Sequence, residues 1–75
     1  MDDKTKMTQE EMILDYIAEN GFIDRVKAAS ELFIFELAAR IRGLEKKGYV
    51  FEKTPVTKTN RFGRTYRMKE YRLVC

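Results

Sequence analysis

FELAARIRGLEKKG, residues 35–48, is the stretch from which the rest of the chain is read. Leu37, Ile41 and Leu44 fall at spacings of four and three, so a helix places them on one face. That stripe belongs against a core. The opposite face carries Phe35, Ala39, Arg42, Gly43 and Lys46, with Glu36 and Arg40 at its flanks. Gly48 stands where helices commonly stop, and Lys46 and Lys47 suit the negative end of the helix dipole. The spacing predicts a helix that begins near Phe35 and stops at Gly48.

Upstream, Arg25 to about Leu32 reads as a shorter helix capped by Asp24. Val26, Ala29 and Leu32 are its expected inward residues, with Ala28 beside them. Small alanines let two helix backbones approach closely. Phe33-Ile34 is the expected turn between the two helices. Before them, Thr8-Gln9-Glu10-Glu11 has the form of a capping box. Met12, Ile13, Tyr16 and Ile17 then recur at amphipathic spacing, and Asn20-Gly21 stops the run. A first helix over about 9–19 follows. Its Asp15 and Glu19 belong to a solvated acidic side. Phe22-Ile23 suits a strand of one rung, and residues 1–7 read as a flexible tail. A short helix, a tight turn and a longer helix make the helix-turn-helix plan.

Downstream of Gly48 the period changes from 3.6 to 2. Tyr49-Val50-Phe51 favours a strand, and Thr54, Val56, Thr57 and Thr59 continue it. Pro55 gives a ladder no N–H, so it marks an edge or a break. Asn60-Arg61-Phe62-Gly63 reads as a turn, and residues 64–74 return as a second strand. In that strand Tyr66 and Met68 are even, whereas Tyr71 and Leu73 are odd. One face cannot hold both sets in one register. A β-bulge or strong twist at Lys69-Glu70 is the expected remedy.

Seventy-five residues make a single domain, 1–75. The chain has no His, one Cys and one Ser, so neither a triad nor a zinc site can be assembled. Gly21, Gly43, Gly48 and Gly63 lie too far apart for a phosphate-cradling loop. The expectation is a non-enzymatic protein with no cofactor and no metal. Cys75 reads as an incidental residue. One cysteine makes no internal disulfide, and no apolar leader or bilayer-length run appears, so a cytoplasmic home away from membranes is expected.

The net charge is +3. Residues 1–39 hold four Lys/Arg against nine Asp/Glu, a net of −5. Residues 40–75 hold eleven against three, a net of +8. Such a split gives the domain one basic side, the kind that meets nucleic acid or another polyanion. Lys53, Lys58, Arg61, Arg64, Arg67 and Lys69 concentrate on the hairpin, with Phe62 and Tyr66 between them. Arg25 and Lys27, at the start of the second helix, are further candidates to reach a phosphate.

Three helices followed by a two-stranded β-hairpin wing is the winged-helix plan, an α+β fold. Gly21 with Ile23, Ala28-Ala29, Leu37-Ala38-Ala39-Arg40-Ile41, Asn60-Arg61-Phe62-Gly63 and Tyr71-Arg72-Leu73 resemble a particular group. It is the family of small winged helix-turn-helix domains from phages and mobile elements of Gram-positive bacteria. The likeness runs over roughly 8–73. It implies a double-stranded DNA-binding protein that regulates phage or element genes. The residues then expected at DNA are Phe35, Glu36, Ala39, Arg40, Arg42, Gly43 and Lys46 on helix three. Lys58, Asn60, Arg61, Arg64 and Arg67 join them from the wing.

The chain departs from that family pattern in two places. Phe33 stands where such turns usually hold Gly. Phe35-Glu36 replaces a Thr or Ser cap and a basic residue, both of which contact phosphate. These departures suggest an alternative: a host or phage protein as partner, gripped through Phe33 and Phe35, as by an anti-CRISPR protein or antirepressor. A monomer or weak homodimer is expected, because no helix follows the wing.

Overall fold

In the computed structural model, which describes residues 7–74, Thr8 opens the first helix, α1 (Gln9–Asn20). The Glu11 N–H donates to the Thr8 hydroxyl at 3.1 Å, and the Thr8 N–H donates to the Glu11 carboxylate at 2.8 Å. This reciprocal pair is the expected capping box. At the other end Gly21 takes φ 88° and donates its N–H to the Ile17 carbonyl at 2.7 Å. A Cβ would disfavour that backbone. The expected tail at 1–7, Met7 excepted, lies outside the described residues, as does Cys75.

Ile23–Asp24 forms β1, and Asp24 then caps α2 (Arg25–Leu32) by accepting from the Lys27 N–H at 2.8 Å. α3 spans Leu37–Lys46, β2 Phe51–Thr59 and β3 Thr65–Leu73. The expectation of a two-stranded hairpin alone is corrected here. The sheet has three antiparallel strands in the order β1-β3-β2. Ile23 opposes Tyr71 and Asp24 opposes Glu70, so the single rung foreseen at Phe22-Ile23 is shifted by one residue and joins the hairpin.

The expected bulge at Lys69-Glu70 is absent. Pairing runs unbroken from Phe51 with Leu73 to Thr59 with Thr65. The register conflict is resolved by using both faces of the sheet. Tyr71 turns to the helices and packs against the core. Met68 faces the other way, where Val26 of α2 lines the same hollow. Pro55 interrupts nothing, since β2 is an edge strand and one side of it needs no partner.

Val26 was expected inward, but it is 52% exposed and Ala28 is the fully buried residue of α2. The inward stripe is centred on Ala28, Leu32 and Ala29, and Val26 lies about a third of a turn away from it. The core joins Ile13, Tyr16 and Ile17 of α1 to Ile23, Ala28, Ile34, Phe51 and the Leu37, Ile41, Leu44 stripe. The Tyr16 hydroxyl donates to Glu31 at 3.0 Å. Burial, then this hydrogen bond and the charges of Glu31 and Asp24, push the phenol above its ordinary pKa.

α3 starts two residues later than expected because Phe33, Ile34 and Phe35 are consumed by the turn. Phe33 adopts the left-handed conformation, φ 55°, ψ 35°, as the C-cap of α2. Its Cβ makes that conformation costly. Ile34 is driven inward, 1% exposed, between two aromatic side chains that point out. Urea denaturation should therefore separate adjacent positions by sign. Ile34→Ala should lose about 2–4 kcal/mol of stability through a core cavity. Phe33→Gly should gain about 0.5–1 kcal/mol by relieving the left-handed strain.

Candidate functional site

α3 presents Leu37, Ile41 and Leu44 to the core, so its other side is free to form a surface. Between that side and β3 lies an open groove of about 440 Å3. Its helix wall is Phe35, Glu36, Leu37, Ala38, Ala39 and Arg42. Its strand wall is Arg67, Met68, Lys69 and Tyr71, and Arg25 contributes from the start of α2. Four cations thus meet one carboxylate. The alternation of β3 accounts for Arg67, Lys69 and Tyr71, which share the face turned to the helices; Met68, of the opposite face, also borders the groove.

Apart from Glu36 in the groove itself, four glutamates are committed to other cations. Among the described residues, ion pairs join Lys27 to Glu31, Lys47 to Glu10, Lys53 to Glu45 and Arg72 to Glu70. The 3.1 Å pair of Lys53 with Glu45 braces β2 against α3. The pair of Lys47 with Glu10 ties the end of α3 to α1 and pushes the Lys47 pKa up, chiefly through that hydrogen bond. Arg25, Arg42, Arg67 and Lys69 take part in none of these pairs. Their charge is left to whatever enters the groove.

The hairpin tip is a second feature. Asn60 Oδ1 accepts from the Phe62 N–H at 2.9 Å and the Arg64 N–H at 3.0 Å. Its own N–H donates to the Arg64 carbonyl at 2.8 Å. Gly63 takes φ 83°, which closes the turn without Cβ strain. Arg61 lies over the Phe62 ring, 5.1 Å from its centroid, and Arg64 lies 5.9 Å from that of Tyr66.

A helix-turn-helix, a third helix with a free outer side and a hairpin beside it together suggest a known architecture. A family model described as "Winged helix-turn-helix domain" matches residues 8–75. The chain belongs to this family. No curated protein sequence and no solved structure gives a match. In winged-helix terms, α3 is the third helix and the β2–β3 hairpin is the wing.

The structure sorts the residues singled out from sequence into separate places. Phe35, Glu36, Ala39, Arg42 and Arg67 come together in the groove. Glu36 is the N-cap of α3 and makes no side-chain capping hydrogen bond. Lys46 is exposed on the last turn. Arg40 is half-buried, and its Nε lies out of solvent with no hydrogen-bond partner among the described residues. Gly43 is not on the outward face where its spacing put it. A Cβ there would collide with the Glu10 carboxylate, so Gly43 lets α1 approach α3.

On the wing, Asn60, Arg61 and Arg64 gather at the tip. Lys58 opposes Tyr66 on the sheet face away from the groove and lines a hollow with Val26 and Met68. Arg25 and Lys69 line the groove although the sequence ranked them behind other residues. Ala38, named only within the Leu37–Ile41 run, was not singled out as a site residue. The signal for it was present: it sits four residues before Arg42, hence on the same face.

The distribution of ion pairs predicts polyanion retention. On a heparin column, Arg42→Ala combined with Arg67→Ala and Lys69→Ala should elute at clearly lower salt than the wild type. Lys53→Ala and Arg72→Ala, whose charges are already paired, should shift elution by much less. Equal shifts for both sets would contradict the groove as the anionic ligand's seat.

Proposed function

We propose that this winged helix-turn-helix protein binds double-stranded DNA, with α3 in the major groove and the wing along the flanking backbone. The observation that carries the reading is the groove whose four cations have no carboxylate partner among the described residues. A ten-residue helix is about 15 Å long and fits a B-DNA major groove about 12 Å wide. Arg42 and Lys46 then supply contacts to the phosphates that flank the helix. Ala39 leaves room for base edges, Phe35 meets a thymine methyl, and Glu36 accepts from cytosine N4. The role that fits a domain of this size is a transcriptional or accessory regulator. The resemblance of its Leu37–Ile41 run and its wing tip to phage and mobile-element proteins supports that setting.

Exposure of Phe33 at 72% and Phe35 at 78% favours a second reading, in which the same side grips a host or phage protein as an inhibitor. Large apolar area at that point is unusual for a DNA reader. A pull-down that persists after nuclease treatment and is lost in Phe35→Ala would select this reading.

Salt titration on random duplex DNA tests the first reading. With about 4–6 phosphates neutralised, log K should fall with log salt at a slope near −4 to −5. Arg42→Ala and Arg67→Ala should each reduce the slope by about 1. Absence of binding at low salt refutes DNA as the partner.

A further inference from the structure

Phe62 is the most exposed large apolar side chain among the described residues, at 81%, and it adds nothing to the core. It stands at the tip of a hairpin whose strands are nine residues each, so it projects about 25–30 Å from the base of the wing. The tip is held rigid. Asn60 fixes the Phe62 and Arg64 N–H groups, Gly63 completes the turn, and the Thr59 and Thr65 hydroxyls lie 3.4 Å apart behind it. Any polar residue at position 62 would satisfy the same turn, because only the N–H of Phe62 is used. The Arg61 guanidinium lies 5.1 Å from the ring centroid. Residues 53–69 contain six Lys/Arg and no Asp/Glu.

An aromatic ring on a hydrogen-bonded turn, flanked by two cations and carried on a stretch, 53–69, without a negative charge, matches one ligand chemistry closely. Arg61 and Arg64 neutralise phosphates on either side of a minor groove, while the ring enters between two bases. Unstacking a step is unfavourable, and the protein surface gained on the kinked duplex offsets it. Rigidity matters, since a floppy tip would lose ordering entropy on insertion. We propose that Phe62 is a wedge that inserts into a base step of duplex DNA and kinks it. This rests on the DNA-binding reading above, but it adds a deformation that charge alone does not produce.

Two measurements on the full chain test it. The first is the rate of ring closure of duplex fragments of about 100 base pairs, well under the persistence length. The second is fluorescence of 2-aminopurine placed at pyrimidine–purine steps. Wild type should accelerate closure and raise the fluorescence, as a kink of about 20–90° requires. Phe62→Ala should abolish both while weakening affinity only about 5- to 10-fold, because stacking is lost but charge is not. Its salt slope should stay that of the wild type, and Phe62→Trp should retain the kink. Salt-dependent binding without kinking overturns the wedge and leaves the DNA reading intact. No binding to duplex at low salt overturns both. Phe62-dependent binding to anionic phospholipid vesicles, with unkinked duplex, would assign the tip to a membrane surface and overturn the wedge.

Discussion

Ile23 and Asp24 pair with Tyr71 and Glu70, drawing the return strand of the wing against the segment that joins α1 to α2. Ile23 is fully buried at that junction, and Asp24 is 3% exposed while it caps α2. The two residues therefore fix three things together: where α2 starts, which face of β3 meets the helices, and how far the wing leans toward α3. Without that rung the hairpin would be held to the helices only by the Tyr49-Val50 connection, the packing of Phe51 and Tyr71 and the Lys53–Glu45 pair. An isolated two-stranded hairpin is marginal in water, and a third strand together with a packed face supplies what it lacks.

The placement of charge follows from that geometry. Once β3 lies beside α3 with Tyr71 inward, Arg67 and Lys69 must line the groove, because side chains alternate along a strand. The glutamates of α3 and β3 that might have answered them are turned to other lysines and arginines. Glu45 meets Lys53 across the base of the wing, and Glu70 meets Arg72. Exposed pairs of this sort contribute little to stability, about 0–1 kcal/mol each. Their consequence is local: they occupy Glu45 and Glu70 and leave Glu36 as the one carboxylate lining the groove.

The segment Phe33-Ile34-Phe35 shows a conflict between folding and surface. The turn asks for a residue tolerant of positive φ, and the chain supplies an aromatic one at φ 55°. Ile34 fills the core beneath the turn, so the segment cannot move outward to relieve the strain. Ile34 is buried while Phe33 and Phe35 on either side of it are exposed. Strained, exposed residues of this kind gather at functional sites.

Local rules were enough for much of the chain. Thr8 with Glu11, Asp24 before Arg25, and Asn60 to Gly63 carry short-range hydrogen-bond chemistry that any window of a few residues reveals. The Leu37, Ile41, Leu44 stripe is equally legible, because its period belongs to the helix itself. Tertiary structure alone decided that the sheet has three strands. It also decided that Val26 covers Met68 on the second sheet face, that Gly43 admits Glu10 of α1, and that Lys58 and Arg67 end on opposite sides of the wing. Those outcomes depend on which elements meet, and contacts between distant segments leave no periodic trace in sequence. The sequence by itself determined the helices, their caps and the wealth of positive charge in the wing. Only packing determined which of those charges share a groove.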